Sequence, residues 1–208
     1  MLTPTDLDKS ASCCQQALSA VMSEDWGRPA GELSWSCRQT LDHVIDAHFL
    51  YAVMFASRAS APVPSPRRGN ERRSVLELIA LLPKTAAMLR VVLQDGKITD
   101  RAYHASGMAD ASGFAAMGCN ETLIHTADIL QGFGYPFEPP DDLAERVLGR
   151  LFPWVSNADP WPHLLWANGR RSLPDKPRLD PSEWAWRSEP LSEWDGTVAR
   201  RSPANPSH

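Results

Sequence analysis

The chain has 208 residues, 43% of them hydrophobic, enough to bury one substantial core at the upper end of ordinary single-domain size. Its formal net charge of −4 lacks the clustered basic surplus that nucleic acid or an anionic membrane surface attracts, so a small neutral or anionic metabolite is the expected partner. The opening MLTPTDLDKSASCC holds no basic segment followed by an apolar run, and nothing later approaches the roughly 18 apolar residues that span a bilayer. A soluble cytoplasmic protein, monomer or homodimer, is expected.

In chain order, Thr3 reads as the N-cap of a first helix, with Pro4 at the first helical position and Asp6 in the first turn, running to about Met22. Ser36 to Gln39 reads as a capping box that opens a second helix through His43 and His48 to about Ser57. That helix is apolar over most of its circumference and belongs inside a bundle or against a ligand cavity. The stretch from Arg58 to Arg73 holds three prolines and five arginines without periodicity, which predicts a long connection. Ser74 to Glu77 is a second capping box. Val75, Leu78, Ile79, Leu82, Ala86, Leu89 and Leu93 then recur at helical spacing, with a kink expected at Pro83. Gly96 to Ala111 reads as a further connection, and Ser112 to about Gln131 as a fourth helix stopped by Gly132 and Gly134. No strand-period run is visible here.

The pattern predicts an all-α fold: a four-helix bundle over residues 1–135, with a long crossover between its second and third helices. Residues 136–199 read as a short helical, Trp-rich C-terminal extension, with helices at Asp141 to Phe152 and from Asp159-Pro160 to Gly169. Tryptophans 154, 161, 166, 184 and 186 are expected to pack back on the bundle, because each buries a large apolar area and needs a partner for its indole N–H; an exposed recognition surface is the alternative. Residues 200–208 read as a disordered tail. Cys13 and Cys14 are adjacent, while Cys37 and Cys119 stand alone in helices. Neither a disulfide framework nor zinc-type spacing results, and reduced thiols are expected.

Glu121, His125 and Asp128 fall at i, i+4 and i+7 on the fourth helix and form one polar stripe on an otherwise apolar segment. A carboxylate and an imidazole one turn apart can grip one cation from a single face, and a third ligand from a neighbouring helix would leave positions open for water or substrate. By itself Glu-x-x-x-His is a weak signal that a hydrogen-bonded polar face explains as well. On the second helix His43 and His48 are both candidates. They lie about 140° apart around the axis and cannot serve the same site. His48 sits among Leu41, Val44 and Ala52, as a core histidine would, and His43 shares a more polar stripe with Gln39. His104 and His163 could approach only by folding over the site.

Two segments carry a resemblance. Trp35 to His43, WSCRQTLDH, is similar to the start of the second helix in the DinB-like domain of mycothiol-dependent maleylpyruvate isomerases. Met117 to Ile129, MGCNETLIHTADI, resembles that family's fourth helix. Segments at Leu151 to Trp154, Leu164 to Arg170 and Trp184 to Gly196 resemble a C-terminal extension of shorter actinobacterial relatives. The resemblance implies a DinB-like bundle and selects His43 over His48, giving His43, Glu121 and His125 as metal ligands. It also implies a divalent cation, zinc or nickel, and mycothiol or another low-molecular-weight thiol in an isomerase or S-transferase reaction on a small metabolite. Those isomerases carry a larger second domain, which a sequence of this length is not expected to hold. No catalytic residue is assigned beyond the metal, with Asp128 and Arg170 as candidates: Asp128 to orient a ligand, Arg170 to meet an anion or to cap its helix. A non-catalytic metal- or ligand-binding bundle is the alternative, marked by a fourth protein ligand such as His48, His104 or Cys119. A purely structural homodimer would show no metal.

Overall fold

Asp6, rather than Thr3, organises the first turn. In the computed structural model, which describes residues 1–67, 69, 72–156, 158–180, 183 and 185–200, the Thr3 backbone N–H donates to the Asp6 carboxylate at 2.9 Å, and helix α1 follows as Asp6–Ala20. The short carboxylate reaches back and closes the turn at Pro4 and Thr5, so the expected Thr3 cap is replaced by its acceptor. The two serine boxes do form. Ser36 and Gln39 exchange side-chain and backbone hydrogen bonds at the head of α2, Cys37–Ala56. Ser74 and Glu77 do the same for α3, Val75–Gln94. Each box satisfies two amide donors that the first helical turn leaves orphaned.

Helix α3 continues through Pro83. Proline cannot donate to the carbonyl four residues back; the freed Ile79 oxygen instead accepts from Gln15 Nε2 of α1 at 3.3 Å. Residues 96–111 are not a plain connection. They contain an antiparallel hairpin, β1 (Ala102–His104) paired with β2 (Gly107–Ala109), with Gly107 at φ 132°. Tyr103 N–H donates to the Ala59 carbonyl at 2.6 Å, which ties the hairpin to the end of α2. Three-residue strands are too short to show an alternating pattern, so the sequence reading missed them.

Helix α4 is Ala111–Phe133, starting one residue before the expected Ser112, and Asp110 caps it: the Asp110 carboxylate accepts from Gly113 N–H at 2.7 Å. Gly134 ends the helix in the left-handed conformation at φ 82°, where glycine carries no steric cost. Gly132 is not a stop. It lies inside the helix, and a Cβ there would meet the Pro29 carbonyl and, at 3.0 Å, Cys37 Sγ.

Helices α1 and α2 each pack on both α3 and α4, and α3 also touches α4. Along α2 and α3 the contacts advance together: Arg38 donates to the Arg73 carbonyl at 2.7 Å, His48 pairs with Thr85 at 3.1 Å, and the Phe55 ring lies so close to Gly96 that a Cβ there would come within 2.6 Å. Along α2 and α4 they run in opposite order, from His43 beside His125 to Phe55 against Phe114. Leu41, Ile45, Phe55, Leu82, Leu89, Phe114 and Met117 fill the centre.

The remaining chain forms α5 (Asp141–Leu151), α6 (Pro160–Ala167) and a 3-10 turn at Leu191–Glu193. Trp161 is buried and donates its indole N–H to the Phe137 carbonyl at 2.9 Å, Trp166 donates to Pro177 at 2.8 Å, and Trp154 and Trp186 pack against the core. Buried Arg150 on α5 donates to Asp110 at 2.7 Å and to the Ser188 carbonyl at 3.0 Å, pinning the late segment to the head of α4. Trp184 and residues 201–208 lie outside the described residues. All four cysteines are free thiols. Among the described residues, no helix is long and apolar enough to cross a membrane.

Candidate metal centre

The stripe on α4 meets α2 at one point. His43 Nε2 lies 3.3 Å from Glu121 Oε2, and His125 Nε2 lies 3.1 Å from the same oxygen. One ligand atom from each residue falls within a set no more than 4.8 Å across. Donors about 2.0–2.1 Å from a tetrahedral zinc ion sit roughly 3.3 Å from one another, so two imidazole nitrogens and a carboxylate oxygen at these separations fit a divalent cation. The imidazole–carboxylate set suits zinc and also nickel.

Both histidines are held from behind. The Trp35 indole packs on the His43 ring with centroids 4.8 Å apart, and the His43 and His125 rings meet edge to face at 5.2 Å. His125 Nδ1 donates to Asp128 Oδ2 at 2.9 Å. Arg170, from the segment after α6, grips both oxygens of Asp128 at 2.9 and 3.0 Å and also donates to the Asn168 carbonyl at 3.1 Å. Arg170 therefore both secures its own helix end and reaches the site through Asp128. Asn168 and Asn120 exchange amide hydrogen bonds at 2.9 and 3.0 Å, both 2% exposed. The segment 168–170 thus holds α4 on either side of Glu121 and His125.

These charges decide the protonation of the site. Burial alone would push the Glu121 carboxyl up, yet hydrogen bonds from His125 and His43 outweigh it and hold the group well below its usual range. Burial would likewise lower His125, but Asp128 and Glu121 together raise it to about 9. Asp128 is held below its usual value because its hydrogen bond from His125 and the Arg170 guanidinium overcome burial. His125 is thus an imidazolium between two carboxylates. A cation entering the site takes the place of the proton on Nε2.

The other candidates lie elsewhere. His48 is 0% exposed, with Nδ1 3.1 Å from Thr85 Oγ1 and Nε2 3.0 Å from Thr122 Oγ1. It points into the core, and burial lowers its pKa to about 4. Cys119 faces Ser10 of α1, and burial pushes its thiol up to about 12. His104 stacks on Trp186 at 5.7 Å and accepts from Ser106 N–H, and His163 donates to the Asp159 carbonyl at 2.7 Å. Among the described residues, only His43, Glu121 and His125 form a group able to hold a metal. The sequence reading missed Tyr51, whose hydroxyl donates to Glu121 Oε1 at 3.3 Å, because a tyrosine on an apolar helix reads as core. It also missed the Asn120–Asn168 pair, which joins residues 48 positions apart and leaves no local pattern.

No protein-family model, curated protein or solved structure matches the chain. Its own residues carry the case for function.

Proposed function

We propose that the chain is a divalent-metal-dependent enzyme of the mycothiol-dependent isomerase or thiol S-transferase type, built on a DinB-like four-helix bundle and acting on a small metabolite in the cytoplasm. The observation that carries it is the convergence of His43 Nε2, Glu121 Oε2 and His125 Nε2 within 4.8 Å, with Asp128 behind His125 and Arg170 behind Asp128. An outer carboxylate fixing the tautomer of a ligating histidine is how protein metal sites are commonly supported. The advancing contacts between α2 and α3, from Arg38–Arg73 to Phe55–Gly96, support parallel helices joined by the long crossover. Ion pairs from Arg67 to Asp42 and Asp46 tie that crossover to α2 beside His43.

Bound here, a divalent cation, zinc first and nickel second, would lower the pKa of a coordinated thiol or water toward neutrality. His43, Glu121 and His125 supply three protein ligands, and neither His48 nor Cys119 points in to close the set, which supports an exchangeable position. Asp128 holds the His125 ring with Nε2 toward Glu121, and Arg170 keeps Asp128 ionised.

Cobalt-substituted protein tests this reading. Mycothiol, with bacillithiol and glutathione beside it, is expected to add a sulfur-to-metal charge-transfer band in the near ultraviolet and to release a proton on binding. A cobalt spectrum that responds to small oxygen ligands and to none of the thiols would overturn the thiol chemistry and leave a water-activating enzyme or a binding protein.

A further inference from the structure

The two oxygens of Glu121 have different partners. Oε2 faces both histidines, at 3.3 and 3.1 Å, while Oε1 accepts from the Tyr51 hydroxyl at 3.3 Å. Tyr51 sits two turns beyond His43 on α2, buried at 4% exposure. Its ring meets Phe114 at 5.7 Å and His104 at 5.5 Å edge to face. Facing a carboxylate oxygen, which can only accept, the phenol hydroxyl serves as the donor.

We infer that Tyr51 is a positioning residue that keeps Glu121 a one-oxygen ligand. The inference rests on the metal reading above and deepens it. A carboxylate at a cation can bind through one oxygen or through both, and the choice follows from what holds the second oxygen. Glu121 is 9% exposed, so Oε1 has little water to turn to; without a donor it would be left unsatisfied or would swing onto the cation. The Tyr51 hydroxyl meets that need at the oxygen that does not face the histidines. It thereby keeps the coordination number low and a position free for an exogenous ligand.

The test is cobalt(II) titration of the full chain followed in the visible region, with wild type, Tyr51→Phe and Phe114→Leu side by side. Wild type is expected to give the intense ligand-field bands of a low-coordinate site. Tyr51→Phe keeps the ring and removes only the hydroxyl. Its bands are expected to weaken several-fold and shift as Glu121 takes up a second bond, with affinity changed by roughly 10- to 100-fold as for loss of an outer partner. Phe114→Leu loosens the same packing without touching the hydroxyl, and should lower the melting temperature while leaving the bands as in wild type. Wild type and Tyr51→Phe with the same spectrum and affinity overturn the inference alone. Equal spectral changes in both variants also overturn it, because packing would then account for them. A wild type that takes up no cobalt overturns the metal centre and this role together.

Discussion

Helices α2 and α4 bring two histidines to their shared contact about one and a half turns apart, and they meet opposite fates. His48 lies between the hydroxyls of Thr85 and Thr122, neutral partners that can donate or accept, and burial drives its pKa down to about 4. His125 lies between Glu121 and Asp128, and these carboxylates raise it to about 9 in spite of burial. Both rings lie where α2 meets α4, with Thr85 of α3 added beside His48. The hydrogen-bonding neighbours decide which becomes a neutral core residue and which becomes a charged ring that a cation can discharge. Burial of a histidine therefore says little about function until its partners are named.

The largest effect that could break this comparison is a difference in metal retention. His43→Ala and His125→Ala each remove a ligand and should weaken metal binding by more than the roughly 100-fold that loss of an outer partner causes, while helical circular dichroism persists. Asp128→Asn keeps the hydrogen-bonding shape but not the charge, and should weaken binding by roughly 10- to 100-fold. His48→Ala should bind metal like wild type and lose about 1–3 kcal/mol of stability in urea, from its lost hydrogen bonds and the space it leaves. Titration of metal into the four variants checks the order, and a His48→Ala protein that loses its metal would erase the contrast.

The second prediction sets the two rings against each other along the pH axis. For His125, a folded pKa of about 9 against an ordinary 6.5 means stability that is full below pH 6.5 and lost as pH rises through 9. For His48, a folded pKa of about 4 means stability that is present above pH 6.5 and lost as pH falls toward 4. The metal-free protein should be most stable near pH 6–7, with each limb falling by on the order of 3 kcal/mol from these rings. Urea melts across the range would show the alkaline limb flattened by His125→Ala and the acid limb by His48→Ala. Metal affinity should meanwhile rise about tenfold per pH unit between pH 7 and 9, since one proton must leave His125 for the cation to bind.

The smallest effect concerns the extension. Truncation after Phe152 removes the Trp161 and Asn168 contacts and Arg170, and should lower the melting temperature as well as metal affinity. An unchanged melting temperature would contradict the packing of this segment.

How much of this was legible in the sequence follows from the range of the interactions. Both serine capping boxes and the glycine stop at Gly134 depend on residues three or four apart, and their signatures stood in plain view. Thr3 misled because the Asp6 carboxylate reaches back to the Thr3 amide and organises the first turn in its place, and the fourth helix starts one residue before Ser112 because Asp110 caps it. The hairpin at residues 102–109 was too short for periodicity to register. At the site, the i, i+4, i+7 stripe named Glu121, His125 and Asp128, since one helix fixes all three. Choosing between His43 and His48 needed the family resemblance, because either face of α2 could have met α4. Tyr51, Asn120 and Asn168 joined the site through long-range packing, which no local pattern encodes.

The most direct measurement is elemental analysis of untagged wild-type protein purified without added metal, beside His43→Ala and His125→Ala. The account predicts close to one divalent ion per wild-type chain, zinc foremost, and little in either variant, as expected for a site of three protein ligands. A wild type free of metal that takes none up on titration, or variants that hold as much as wild type, would contradict it.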